Sequence, residues 1–197
     1  MKRRPAQGRV AASGVARALA TLVVALLAAA WQIAVADEPL ARQAFVQAGL
    51  AEGAQAVVAG VTQPWQWQRE LASGGALSGY WEASAGRWLS DLEDGGRSGA
   101  WVTQLALTPV LRWRPRAWER GFVEGGVGAN LLLPLYRSRD KRFSTSFNFG
   151  SHVAVGWRFG ERRQHEIALR LEHFSNAGIR DPNPGEDFVQ LRWAWRL

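Results

Sequence analysis

The sequence contains no cysteine, which excludes disulfides and thiolate chemistry. Its stability outside the cell must come from another source, and a closed, hydrogen-bonded barrel would supply one. It also lacks a Gly-x-Ser-x-Gly elbow, so a soluble hydrolase of that kind is not expected. There is no phosphate-binding Gly loop with its Lys. No Cys/His spacing points to zinc, so no metal and no organic cofactor are expected. Past the N-terminal segment no stretch approaches 18 apolar residues, which excludes a conventional membrane-spanning helix. No amphipathic helix of convincing length is seen either.

The N-terminus carries a different signal. Lys2, Arg3, Arg4, Arg9 and Arg17 form a basic region, Ala18 to Ala30 is an apolar run, and Ala34-Val35-Ala36 fits a small-x-small cleavage site. Residues 1–36 therefore read as a cleaved signal peptide and 37–197 as the mature domain. Cleavage removes five basic and no acidic residues, leaves 161 of 197, and lowers the formal charge from +7 to +2. The high overall basicity thus belongs largely to the signal and is no evidence for nucleic-acid binding. Ten of the 11 Trp stay in the mature part. Trp favours membrane–water interfaces, where its half-apolar, half-polar ring is at home.

The mature chain reads as eight alternating segments, near 42–50, 54–68, 75–89, 101–115, 120–133, 145–160, 165–179 and 187–197. Turn signals separate them, including Ser73-Gly74-Gly75, Asp94-Gly95-Gly96 and Pro182-Asn183-Pro184-Gly185. Phe147, Phe149, Val153, Val155, Trp157 and Phe159 share one parity, with Asn148, His152 and Arg158 on the other. Val189, Leu191, Trp193, Trp195 and Leu197 oppose Gln190, Arg192 and Arg196. Period two is the strand signature. Export, together with Arg, Gln and His that need an enclosed polar interior, favours an eight-stranded antiparallel transmembrane β-barrel, apolar outside and polar within. So small a barrel is filled by side chains rather than open as a pore.

Within this pattern His173 and Ser175 stand two residues apart, on the parity of Ile167, Leu169 and Leu171. Such neighbours share a strand face. An imidazole beside a hydroxyl can form a nucleophile and its base, and here the pair falls on an apolar surface, which suggests an esterase for lipid. A carboxylate should orient the imidazole. Asp187 and Glu186 both lie at the start of the next strand. Parity prefers Asp187, on the side of Val189; a bulge at the loop end would favour Glu186 instead. His165 falls in a charged turn and His152 on the inner face.

The run His173-Phe174-Ser175-Asn176-Ala177-Gly178-Ile179, followed by Pro182-Asn183 and Gly185-x-Asp187, resembles the lipid A 3-O-deacylase (PagL) family. Gly79-Tyr80-Trp81-Glu82-Ala83, Phe122-Val123-Glu124-Gly125-Gly126-Val127-Gly128 and Ser146-Phe147-Asn148-Phe149 resemble other strands of that family. The resemblance implies an outer-membrane barrel that removes the ester-linked 3-hydroxyacyl chain at position 3 of lipid A with a His-Ser-Glu triad on its outer surface. Carried over by position, it implies His173 as base and Ser175 as nucleophile. The acid, fourteen residues after the His and two after a Gly, falls on Asp187 where the family has Glu, with Glu186 as the alternative. It also implies the amides around Asn176, Ala177 and Gly178 as oxyanion donors, in keeping with the need of a tetrahedral oxyanion for pre-aimed hydrogen bonds. The expected partner is lipopolysaccharide in the outer leaflet, and a homodimer is left open. The rival expectations are a non-catalytic structural or adhesive barrel, and a phospholipase or acyltransferase on the same scaffold.

Overall fold

A computed structural model describes residues 41–72, 74–94 and 97–197. The expected signal peptide, 1–36, lies outside the described residues. The strands are β1 (Gln43–Leu50), β2 (Ala54–Glu70), β3 (Ala76–Asp94), β4 (Arg97–Arg114), β5 (Gly121–Leu133), β6 (Phe147–Phe159), β7 (His165–Ser175) and β8 (Glu186–Arg196). Each pairs antiparallel with its neighbour, and β8 returns to β1 to close the barrel. Closure leaves no free strand edge, as a hydrocarbon environment requires.

Side-chain alternation is inverted relative to a soluble protein. Val57, Leu107, Val153, Leu171 and Val189 point outward and are mostly exposed, while Arg170, Arg192, Glu82 and Glu124 point inward and are buried. A cylinder with hydrocarbon outside and charge within is built to sit in a bilayer.

Three strand ends differ from the sequence expectation by more than two residues. The β3–β4 hairpin runs further, to Asp94 and from Arg97. β7 stops at Ser175 rather than 179, because Ala177 (φ 54°) and Gly178 (φ 76°) adopt left-handed backbone that no strand accommodates.

One mouth of the barrel carries the long connections, residues 134–146 and 176–185, and the other carries 71–75, 115–120 and 160–164. Outer-membrane barrels keep short turns inside and long loops outside, so the mouth at the end of β7 faces outward. The Trp belt is lopsided. Trp65, Trp67 and Trp81 cluster at 5.7–6.0 Å between centroids on the short-turn side, and Trp193 and Trp195 lie 5.3 Å apart there too. Trp88 departs from the belt: it is fully buried inside the barrel.

The lumen is filled in layers. At the outward mouth Trp88 packs with Phe174, Phe188, Tyr136 and Phe143. Tyr136 and Phe143 belong to the β5–β6 connection, which therefore folds back into the barrel as a plug. Below it lies an ionic layer. Glu82 accepts from both Nη atoms of Arg170, at 2.9 and 3.1 Å, and from Arg192. Arg112 donates to Glu124 from Nε at 2.9 Å, with Nη2 2.7 Å from the same oxygen, and donates to Glu166 from Nη1 at 2.9 Å. Arg192 also stacks over Phe45, 3.6 Å from the ring centroid. Removing one partner of such a buried set leaves uncompensated charge. Glu82→Ala is therefore expected to cost about 3–5 kcal/mol. The check is heat-modifiability on gels, where the folded band should convert to the unfolded one at a clearly lower temperature.

Candidate active site

His173 lies near the outward end of β7, two residues beyond the exposed Leu171. The barrel register sets it directly opposite Asp187, the second residue of β8. Directly opposed residues hold their Cβ atoms about 4.5–5.5 Å apart, a span that Asp can bridge to an imidazole. The Nδ1 of His173 is 2.6 Å from Oδ1 of Asp187. A carboxylate only accepts, so Nδ1 carries the hydrogen and Nε2 presents its lone pair. Both side chains are on the outer surface, 47% and 82% exposed. Exposed ion pairs add little stability, so the value of this contact is orientation.

Ser175 is the last residue of β7, half-buried and paired with Phe149 of β6. It keeps the outward parity of His173, which puts the two on one face with Cα atoms roughly 6.5–7 Å apart. The rings of Phe147 and Phe149, 5.1 Å between centroids, lie on the β6 side of it and extend the apolar surface.

Glu186 has the opposite fate. Its side chain is fully buried and faces the lumen, where the Tyr136 hydroxyl donates to it at 2.6 Å and Lys141 Nζ at 2.9 Å. One residue of offset on a strand reverses the face, so β8 sends Asp187 to His173 and Glu186 to the plug. Burial, and then the Glu186 carboxylate, push the Tyr136 hydroxyl far above its ordinary value. The Glu186 hydrogen bond raises Lys141 as well. Both therefore remain donors, and they tie the start of β8 to the β5–β6 connection.

The turn after Ser175 is held by side chains. Asn176 accepts from the Gly178 amide through Oδ1 at 2.9 Å, a local turn that competes with strand pairing. Its Nδ2 donates to Ser144 Oγ at 3.0 Å and to the Arg180 carbonyl at 2.7 Å. The Asn176 amide donates to Oδ1 of Asn183 at 2.9 Å. Of the three amides expected as oxyanion donors, those of Asn176 and Gly178 are thus already engaged within the turn, and the bond to Asn183 links the residue after Ser175 to the Pro-Asn-Pro-Gly segment. Sequence reasoning gave Asn183 no role of its own. The signal that could have found it is an Asn between two prolines, a polar side chain on a stiffened loop.

Gly185, between that segment and Glu186, has φ of 71°. A Cβ there would sit 2.6 Å from Cε1 and 3.3 Å from Nε2 of His173. The glycine therefore allows both the turn and the seating of the ring. Gly185→Ala is expected to displace the imidazole and lower turnover roughly 100-fold, the scale of an ångström-level misplacement. Initial rates on detergent-solubilised substrate would measure it.

The other histidines stand apart. His152 is buried in the lumen, and His165, the first residue of β7, stacks on Phe159 at the far end of that strand. Among the described residues no group of three or more His, Cys, Asp or Glu is placed to hold a metal ion.

The chain has relatives. The chain is 35% identical over 152 residues to the lipid A deacylase PagL of Bordetella bronchiseptica, covering 76% of this chain and 80% of that protein. It is 30% identical over 130 residues to the lipid A deacylase PagL of Pseudomonas aeruginosa, covering 64% of this chain and 70% of that one. The fold matches the crystal structure of the outer membrane enzyme PagL with a TM-score of 0.67 at 24% identity, over 79% of this chain and 99% of the other. The profile of the lipid A 3-O-deacylase (PagL) family matches residues 55–196, and on that match and these relatives the chain belongs to the lipid A 3-O-deacylase (PagL) family.

Proposed function

We propose that this barrel hydrolyses the 3-O-acyl ester of lipid A in the outer membrane, with Ser175 as nucleophile, His173 as general base and Asp187 as the orienting acid. The observation that carries the reading is the 2.6 Å contact between His173 and Asp187 on a largely apolar exterior, with Ser175 on the same face. An ester of a membrane lipid reaches such a site sideways, without leaving the outer leaflet.

The steps follow from the donor set. Nε2 of His173 takes the proton of Ser175 as Oγ bonds to the ester carbonyl carbon. The carbonyl π bond breaks to give an oxyanion. Accepting from Asn176 through Oδ1 leaves Asn183 its two Nδ2 donors beside the nucleophile's neighbour, and the Ala177 amide lies in the same turn. These are the proposed oxyanion donors, in place of the engaged amides of Asn176 and Gly178. Collapse of the intermediate breaks the bond to the sugar oxygen, which leaves with the proton held by His173. Water then attacks the acyl-serine, His173 accepts its proton, and a 3-hydroxy fatty acid is released as Ser175 is restored. No cofactor is called for. All three groups come from one chain, so a homodimer is not needed for the chemistry. Residues 1–36 are proposed as the export signal, with 37–197 as the mature enzyme.

The test is mass spectrometry of lipid A from cells with and without the protein. Loss of one 3-hydroxyacyl mass only when the protein is present is expected. Unchanged lipid A alongside cleaved phospholipid would replace this reading with a phospholipase.

A further inference from the structure

The mouth opposite the active site has a charge imbalance that the catalytic reading does not use. In the ionic layer of the lumen every arginine meets a carboxylate: Arg170 and Arg192 share Glu82, and Arg112 holds Glu124 and Glu166. Toward the short-turn end this balance stops. Arg114 at the end of β4, Arg158 on β6, Arg162 and Arg163 in the β6–β7 turn, and Arg196 at the end of β8 converge on one cavity of about 430 Å³, with Arg112 at its inner wall. Glu166 is the one carboxylate of the lining, and Arg112 engages it at 2.9 Å. Glu119 pairs with Arg163 from outside the cavity, its side chain 80% exposed. Glu70 lines an adjoining cleft, and Glu161 lines neither space.

Two of these arginines are held in place by neutral acceptors. Arg114 donates through Nη2 to the Gln68 side chain, and Arg158 through Nη2 to the Glu119 backbone carbonyl at 2.7 Å. Such bonds fix the guanidinium planes without cancelling their charge. The Nε–H of each is buried and makes no hydrogen bond. An unpaired buried donor on a cation is costly, and several like charges around one space add repulsion. A ligand that supplies oxygen acceptors and negative charge removes both costs.

We propose that this mouth is a binding site for a phosphate group, reached from the side of the membrane opposite to catalysis. Guanidinium forks match the spacing of phosphate oxygens and bind them in pairs. A tetrahedral group with up to two charges suits several arginines arriving from different strands, where a single carboxylate would satisfy one fork. The cavity is also much larger than a lone phosphate, so it admits either the free ion or a phosphorylated headgroup presented by the neighbouring leaflet.

The experiment is calorimetry on the folded barrel in octyl glucoside, a detergent without phosphate. It is titrated separately with inorganic phosphate and with monomeric dihexanoyl phosphatidic acid, and dihexanoylglycerol serves as the phosphate-free control. Saturable binding of at least one phosphate probe and none of the control is expected. A response to both shows that the phosphate group suffices. A response to phosphatidic acid alone identifies a lipid headgroup. The double variant Arg114→Gln/Arg158→Gln should weaken binding roughly tenfold or more, with lipid A deacylation at the other mouth unchanged, which also shows that the barrel is intact. Should that variant fail to fold, Arg162→Gln and Arg196→Gln, both at exposed positions, should each weaken binding severalfold. Absence of saturable binding by either phosphate probe, or an affinity unaltered in folded variants, overturns the proposal.

Discussion

Ser175→Ala is expected to reduce lipid A deacylation by roughly 10⁴-fold or more, the scale seen when a serine nucleophile is deleted, while the barrel folds as before. The two halves of this expectation have separate causes. Activity is lost because in the proposed mechanism Oγ of Ser175 is the atom that bonds to the acyl carbon; the Ser151 hydroxyl, directly opposite His173 on β6, is not expected to replace it. The fold persists because Ser175 is at the end of β7, outward and half-buried, away from both the aromatic plug and the ionic layer. The measurement is release of 3-hydroxy fatty acid from purified lipid A, paired with heat-modifiability on a gel. Normal release from a folded Ser175→Ala protein would remove the nucleophile from the proposed mechanism. His173→Ala should behave in the same way, since Ser175 would then have no base.

The barrel was legible in the sequence because the membrane imposes a hard rule on every strand: hydrocarbon on one parity, polarity on the other. Val153, Val155 and Trp157 against His152 and Arg158 show it without reference to any other part of the chain. The position of Asp187 was legible for the same reason, since parity carries across a hairpin when both strands stay regular. What alternation could not disclose is anything that leaves the strand geometry. Trp88 shares its inward parity with Glu82 and Ser90, and its place in the plug depends on Tyr136, Phe143, Phe174 and Phe188 arriving from three other segments. Residues 134–146 have no period at all, yet they close the mouth and hold Glu186. The oxyanion expectation met a similar limit. The turn at 176–178 was visible from its Gly, but the hydrogen bonds that occupy two of its amides depend on Asn176 and Asn183 side chains, seven residues apart. The basic mouth escaped notice because its arginines lie at the ends of separate strands and turns, and the net charge of residues 37–197 is small.

These long-range contacts show how a site exposed to lipid is kept rigid. Asp187 and His173 gain little from their own surface pairing. Their geometry is inherited from buried neighbours: Glu186 is bound by Tyr136 and Lys141 on the inside, and Phe174 packs fully buried against Trp88. Each outward residue of the proposed triad therefore alternates with an inward anchor on the same strand. Asn176, bonded to Ser144 and Arg180, extends the same arrangement into the turn.

That arrangement predicts opposite outcomes for the two adjacent acids of β8. Asp187→Asn should lower turnover by roughly 10³–10⁴-fold with little change in stability. The amide offers His173 Nδ1 a donor as readily as an acceptor, so the ring is no longer held with its hydrogen on Nδ1 and its lone pair on Nε2. It also loses the charge that stabilises the imidazolium formed when Ser175 gives up its proton. Glu186→Gln keeps the 2.6 Å His173–Asp187 contact within reach but removes a buried charge from Lys141 and Tyr136. It should lower the temperature at which the folded gel band converts, with turnover at lower temperature reduced less than tenfold. Rates and gel conversion measured on both variants in one detergent separate the two roles. Should Glu186→Gln be the variant that loses turnover, with Asp187→Asn active, the orienting acid would be the inner carboxylate, and the outward trio would have to be abandoned.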